Sequence, residues 1–336
     1  WNESYFDRLR DFVSQASDRG VVVEITFFCA FYTLAQWEAS PFHPDNNLEG
    51  IGPEDRHDCF RTVDEGLQSV QEALIRRVIN ELGAYDNVYY EIQNEPFWND
   101  PGVKDGLEIE YHNLMVDVIR DEESRLGRRH LVAHNYPQYA GQLSVEFDII
   151  NEHYPLPVQI GRVEIAGATA LLDDAYDSGR ILSLDETDTT NLTQTRIETW
   201  MFLAGGGAIY NGLDLRDMIY STIDPAGDNQ LGRDTREAVR SICGLIGSLD
   251  LISVRRDLSW ISGGVPEGAT LQAMASPGQQ YVAYLHHAGT STNTQLSYDV
   301  IDDAPRAASL EVTLEAGTWR VVWIRPTDLV EIQTQV

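Results

Sequence analysis

Lysine is nearly absent from this 336-residue chain, since Lys104 is the single lysine among 24 basic residues. Acidic residues number 53, so the formal net charge is −29. Because nucleic acids and anionic membranes attract basic surfaces, neither is expected as a partner. An acidic, lysine-poor surface suits a protein that works in high salt, and GC-rich codon usage gives the same bias. Neutral substrates are favoured under both explanations.

Long apolar runs are also missing. The longest candidate, from Val21 to Leu34, is broken by Glu24 and Thr26, so no membrane-spanning helix is expected. The chain opens on Trp1-Asn2-Glu3, which does not resemble a signal peptide. Location therefore stays open between a secreted or periplasmic protein whose signal was removed and a cytoplasmic protein.

Cysteine is scarce, and no sequence motif for a metal or cofactor is present. The three cysteines lack CxxC or Cys/His spacing, which argues against a zinc site or a disulfide framework; they are Cys29, Cys59 and Cys243. A Gly-x-Ser-x-Gly motif is absent as well, and the His-x-x-x-His spacing of His130 and His134 falls in a predicted strand and not on a helix, where such a pair would share one face. We therefore expect no metal and no cofactor, and no serine or metallo-hydrolase site.

From residue 4 to about 249, amphipathic stretches alternate with short β-branched runs, as in repeated βα units around a parallel sheet. Strands are predicted at 21–28, 88–93, 130–135, 148–153, 180–186 and 208–211. Helices are predicted from 5 to about 20 and at 67–82, 107–126, 167–177, 195–203 and 233–249. Since a closed barrel needs eight strands, residues 1–249 are expected to form a (β/α)8-type barrel lacking its first two strands.

After residue 250 the pattern changes to short alternating runs separated by turns such as Pro277-Gly278. The runs lie at 271–275, 281–285, 309–314 and 319–324. Alternation with Gly and Pro turns indicates antiparallel strands. Residues 250–336 are therefore predicted to form a small antiparallel β-sandwich.

Two glutamates stand at predicted strand ends, where barrel proteins carry their reacting groups. Glu95 lies in Asn94-Glu95-Pro96 and Glu186 ends the 180–186 strand, 91 positions later. That spacing fits three βα units of about 30 residues each. A retaining glycosidase needs such a pair, one carboxyl group as acid/base and one as nucleophile. Asp185 and Asp188 are the rival nucleophiles.

Several stretches resemble the cellulase-type, family 5-like barrels of glycoside hydrolase clan A: 1–25, 90–96, 152–155, 184–186 and 200–206. In that clan the glutamate of Asn-Glu-Pro is the acid/base and a glutamate ending the seventh strand is the nucleophile. The resemblance therefore implies these roles for Glu95 and Glu186. It also places Tyr154 where the clan has an aromatic or histidine group beside the nucleophile.

The C-terminal stretch 316–326 resembles an accessory domain of barrel hydrolases that is sometimes labelled collagen-binding. We infer no collagen binding from that label. The sequence departs from the clan pattern because the first two strands are absent, together with an arginine that commonly supports the nucleophile. Either an N-terminal piece that this sequence omits supplies these strands, or another segment or a second copy of the chain completes or covers the barrel.

Further substrate-binding candidates lie at or near predicted strand ends. Asn94 is placed to bond a sugar hydroxyl. Aromatic faces that could stack on a sugar ring are offered by Tyr32, Trp37, Trp98, Tyr136 and Tyr154, and polar groups by His134, Asn135, His153 and Asn211. Packing is the competing interpretation for each aromatic, and a satisfied core or loop position for each histidine.

The sequence thus predicts a retaining glycosidase that cleaves β-glycosidic bonds of a neutral poly- or oligosaccharide by double displacement. The alternative is a catalytically impaired carbohydrate-binding protein on an incomplete barrel. Carbohydrate is the expected partner under both hypotheses, and turnover of a glycan separates them.

Overall fold

The computed structural model describes residues 1–96, 107–135, 146–153, 171–173, 175–187, 192–211, 230–290, 299–301 and 309–336. The chain packs as two compact units, Trp1–Asn151 and Glu152–Val336. Over the described ranges, no helix has both the length and the apolar character needed to cross a bilayer.

A six-stranded sheet runs through the chain in sequential order, β1-β2-β3-β4-β5-β6. The pairings β1–β2, β2–β3, β3–β4 and β5–β6 are parallel. The strands are β1 (Val23–Cys29), β2 (Val88–Asn94), β3 (Val132–His134), β4 (Ile149–His153), β5 (Ile181–Glu186) and β6 (Ile209–Tyr210). Sequential parallel order is the order of a (β/α) barrel, so the predicted fold class is confirmed as a partial (β/α)8-type barrel.

Helices follow the strands as the alternation predicts. They are α1 (Glu3–Ser17), α2 (Leu34–Glu38), α3 (Glu65–Leu82), α4 (Leu107–Leu126), α5 (Leu192–Ala204) and α6 (Gln230–Gly247). The bounds of α4 are those predicted from its periodicity. Of the predicted helix at 167–177, residues 167–170 and 174 lie outside the described residues, while 171–173 are helical and Tyr176–Ser178 forms a short 3-10 helix.

The short helix α2 was not predicted, although the sequence contains its signal. Thr33 accepts a hydrogen bond from the backbone N–H of Gln36, and the Gln36 side chain accepts one from the N–H of Thr33. This reciprocal capping box satisfies two N–H groups that a helix start leaves unpaired. A five-residue helix is too short for periodicity to reveal it.

Arg120 of α4 ties that helix to the strands beside it. Its guanidinium donates to the backbone oxygens of His130 and Glu146 over 2.8 and 2.6 Å. It also lies 2.7 Å from the Glu123 carboxylate and 2.6 Å from that of Asp148. Because Arg120 is largely buried, these charge-assisted bonds fix the segments that lead into β3 and β4.

The C-terminal part contains antiparallel sheets. One sheet has the order β11-β10-β9-β7, and two pairs are β12-β8 and β13-β14. Their strands are β7 (Arg255–Arg256), β8 (Ile261–Gly263), β9 (Ala269–Ser276), β10 (Gln280–Thr290), β11 (Asp299–Ile301), β12 (Glu311–Val312), β13 (Val321–Ile324) and β14 (Glu331–Gln335). The change to antiparallel strands is as predicted, while the sandwich packing and the boundary at 249/250 remain predictions.

Candidate active site

The last residue of each strand of the parallel sheet has a side chain that can form hydrogen bonds or react. These terminal residues are Cys29, Asn94, His134, His153, Glu186 and Tyr210. Glu95 and Asn135 follow β2 and β3 directly. In barrels the carboxyl ends of the strands carry the chemistry, because loops can shape a pocket while the strands fix positions.

Glu95 has an unusual backbone conformation. Its φ of +46° lies in the left-handed region, and the side chain is inside the protein, with the residue 6% exposed. Its backbone N–H donates to the Oδ1 of Asn135 over 3.0 Å. A non-glycine residue in this region costs energy, and such residues cluster at functional sites.

A chain of hydrogen bonds behind Glu95 holds Asn135 in place. The Nδ2 of Asn135 donates to the backbone oxygen of Asn151 over 3.0 Å. The Nδ2 of Asn151 in turn donates to the Oε2 of Glu91 over 2.6 Å. Glu91 also accepts a 3.5 Å bond from Thr26, so it acts as a structural partner.

Tyr32 lies beside Glu95 on the first loop. Its hydroxyl accepts a 2.9 Å bond from the Nδ2 of Asn94 and lies 3.5 Å from the Sγ of Cys29. The hydroxyl also hydrogen-bonds the Glu95 carboxylate. Burial raises the pKa of Tyr32, and Cys29 and Glu95 raise it further. With 38% of the residue exposed, Tyr32 is both part of this cluster and accessible from outside.

Two other candidates in this unit are engaged in packing. Trp37 is 1% exposed, and its ring contacts Phe31 and His43 with centroids 5.1 Å apart in both pairs. Stacking of Trp37 on a sugar would therefore require this cluster to open. His134 is buried against His112, at a ring distance of 4.6 Å.

In the second unit, His153 lies between two carboxylates. Its Nε2 is 2.9 Å from the Oδ1 of Asp185, and its Nδ1 is 3.4 Å from the Oε2 of Glu186. The His153 side chain is 2% exposed, while that of Glu186 is 24% exposed. Asp185 and Glu186 therefore share one imidazole, with Glu186 the more accessible acid.

A buried glutamate on α5, in the same unit, was not predicted from the sequence. Glu198 of α5 accepts a 2.8 Å hydrogen bond from the hydroxyl of Tyr210. Burial raises the pKa of Glu198 to about 7, with the hydroxyls of Thr187 and Tyr210 opposing the shift. Glutamates on helices are ordinarily exposed, so the sequence carries no signal for this position.

Asn211 follows β6, and its side chain is exposed. Its backbone N–H donates to the oxygen of Leu184 over 2.9 Å, which continues the β5–β6 pairing by one residue. Trp98, Tyr136 and Tyr154, together with the rival nucleophile Asp188, lie outside the described residues. Their predicted roles stay predictions.

No protein-family model matches the chain, and no curated protein matches it significantly. Solved structures do match. An endo-1,4-β-mannanase from Rhizomucor miehei shares 15% identity at a TM-score of 0.52, over 72% of this chain and 76% of that one. A glycoside hydrolase family 5 protein from Bacteroides vulgatus shares 12% identity at a TM-score of 0.52, and the match covers 81% of this chain and 58% of that one.

An endo-β-1,4-mannanase from Thermotoga petrophila matches at 14% identity and a TM-score of 0.50, covering 80% of this chain and 68% of that one. At these identities the likeness concerns the fold. The three agree with the sequential parallel sheet and with the sequence resemblance stated above. The chain therefore has a glycoside hydrolase family 5-like barrel fold.

Proposed function

We propose that the chain is a retaining glycoside hydrolase that cleaves β-glycosidic bonds of a poly- or oligosaccharide by double displacement, without a cofactor. Glu95 is the acid/base and Glu186 the nucleophile. The mechanism requires their carboxyl groups to face one cavity about 5 to 5.5 Å apart. The observation that carries the proposal is the left-handed backbone of Glu95, held by Asn135 at a strand end.

The surroundings of the two glutamates support this division of roles. The two roles differ in what they require, because the acid/base exchanges a proton with the leaving oxygen while the nucleophile must reach the anomeric carbon. Glu95 is 6% exposed. Glu186 is more accessible and has an imidazole nitrogen 3.4 Å from its carboxylate. A protonated His153 would stabilise the charged form of Glu186.

In the first step Glu186 attacks the anomeric carbon while Glu95 gives its proton to the leaving oxygen. The glycosidic C–O bond breaks and a covalent glycosyl–enzyme intermediate forms. In the second step Glu95, now a carboxylate, takes a proton from water as the water displaces Glu186. Both residues return to their starting states.

The substrate class is a neutral β-linked glycan, which the net charge of −29 also favours over polyanions. Two of the matching structures are described as endo-1,4-β-mannanases. We therefore propose β-1,4-mannan as the first substrate to assay, followed by β-1,4-glucans.

The test is hydrolysis of a glycan panel by wild type, Glu186→Ala, Glu95→Ala and the control Glu237→Ala. Glu237 is an exposed glutamate paired with Arg240 on α6, so its loss should leave turnover unchanged. Glu186→Ala should abolish turnover, with azide restoring it on an activated glycoside. Full activity of Glu186→Ala overturns the proposal. Sugar binding by an inactive wild type favours the carbohydrate-binding alternative.

A further inference from the structure

The hydroxyl of Tyr32 has three polar neighbours, and they define where its proton points. Asn94 Nδ2 lies 2.9 Å away and Cys29 Sγ lies 3.5 Å away, and the third neighbour is the Glu95 carboxylate. An amide nitrogen donates and does not accept, so the Tyr32 oxygen is the acceptor in the bond with Asn94. The tyrosine proton is then directed to Cys29 or Glu95.

Of these two acceptors, the carboxylate is the stronger. Hydrogen bonds to an ionised oxygen are shorter and about twice as strong as neutral ones, while a thiol sulfur accepts weakly. Tyr32 therefore donates to Glu95 whenever that carboxyl group is ionised. Asn94, next to Glu95 in sequence, orients the phenol for this role.

We infer that Tyr32 is a positioning residue that holds the Glu95 carboxylate through a donated hydrogen bond and stabilises it after its proton has left. This inference rests on the proposed function. Burial raises the pKa of Tyr32, and Cys29 and Glu95 raise it further, so the phenol stays protonated throughout the pH range of glycoside hydrolysis. It is a fixed donor and does not exchange its own proton.

The proposed role has a chemical consequence in the first step. As the glycosidic bond breaks, the proton moves from Glu95 to the leaving oxygen and Glu95 becomes a carboxylate, which the Tyr32 hydroxyl then stabilises. Stabilising the conjugate base favours proton donation. The effect matters most for leaving groups that need a proton to depart, and least for activated aryl glycosides.

The experiment compares Tyr32→Phe with wild type on an unactivated oligosaccharide and on the dinitrophenyl glycoside of the same sugar. Tyr89→Phe is the matched control, because Tyr89 also donates to a glutamate, Glu24, over 2.8 Å. We expect Tyr32→Phe to lower kcat/KM about tenfold or more on the oligosaccharide, with a much smaller loss on the activated substrate. Tyr89→Phe should leave the ratio between the two substrates unchanged.

An equal loss on both substrates, or no loss, overturns the inference. Glu95→Gln is measured in parallel to separate it from the proposed function. If Glu95→Gln loses activity on the oligosaccharide while Tyr32→Phe does not, only the role of Tyr32 is wrong. If Glu95→Gln retains full activity, the acid/base assignment itself is wrong. Thermal unfolding of each variant identifies a loss that comes from misfolding.

Discussion

The backbone N–H of Glu95 donates to the side-chain oxygen of Asn135 over 3.0 Å, while Glu95 has a φ of +46°. Asn135, which follows β3, thus holds Glu95, which follows the neighbouring strand β2, in a conformation that L-amino acids rarely adopt. Asn135 is itself fixed through Asn151 and Glu91. Strain of this kind persists only where surrounding bonds enforce it.

Replacing Asn135 with alanine removes the acceptor of the Glu95 N–H and releases the carboxyl group from its position. We expect kcat to fall about tenfold or more, because small misplacements of a reacting group are costly. Asn87→Ala is the control: Asn87 is also buried and bonds the backbone oxygen of Val21 over 2.9 Å. It should lose stability with kcat nearly unchanged. Equal kcat losses in both variants would contradict a specific role for Asn135.

Glycine at position 95 should give a more stable protein than alanine. Glycine is ordinarily worse than alanine because it loses more conformational freedom on folding. At the left-handed φ of Glu95 the order reverses, since a Cβ costs about 1 kcal/mol or more there. Urea unfolding of Glu95→Gly and Glu95→Ala measures the difference. A more stable alanine variant would show that position 95 is not held in the left-handed region.

Glu198→Gln should stabilise the protein above neutral pH. Burial raises the pKa of Glu198 from 4.5 to about 7, so the folded state favours the protonated acid. Burial of the protonated acid therefore contributes stability that is fully present below pH 4.5 and is lost as the pH rises through 7. The shift corresponds to about 3 kcal/mol. Unfolding free energies of both proteins at pH 5 and pH 8.5 test this, and a difference that stays constant with pH would contradict it.

His130 should stabilise the protein more at pH 6 than at pH 9. Its Nδ1 lies 2.7 Å from Glu123, and this bond raises the pKa of His130 above 6.5. The contribution is therefore present below pH 6.5 and is lost as the pH rises through the higher folded value. Burial opposes ionisation of Glu123, but His130 and Arg120 lower its pKa, so it stays ionised at both pH values.

The measurement is the difference in unfolding free energy between wild type and His130→Gln. It should shrink between pH 6 and pH 9. A difference that grows over this range would reverse the sign that the Glu123 contact predicts.

The sequence predicted the repeated units well, because strand and helix periods differ and the apolar runs of this chain follow them closely. The strand that ends at Asn94 and the helix from Leu107 to Leu126 lie as expected. Their periodicity reflects burial along one face, which is a local property of the sequence. The same pattern of strands in the sequence placed Glu95 and Glu186 at strand ends.

Other features depend on contacts between distant residues and leave no local signal. The left-handed φ of Glu95 depends on Asn135, 40 positions away. Glu198 is hydrogen-bonded by the hydroxyls of Tyr210 and Thr187, which lie on other segments of the chain. Aromatic residues near strand ends were predicted to line a binding surface, but composition does not distinguish the buried Trp37 from the partly exposed Tyr32.

The central claim is that Glu95 and Glu186 act on one sugar from opposite sides of its anomeric carbon. The most direct test is the separation of their carboxyl oxygens in a crystal structure of the protein. Double displacement predicts about 5 to 5.5 Å. A gap of roughly 6.5 to 9.5 Å would indicate inversion instead. Carboxyl groups more than about 10 Å apart in separate surroundings would contradict the hydrolase assignment altogether.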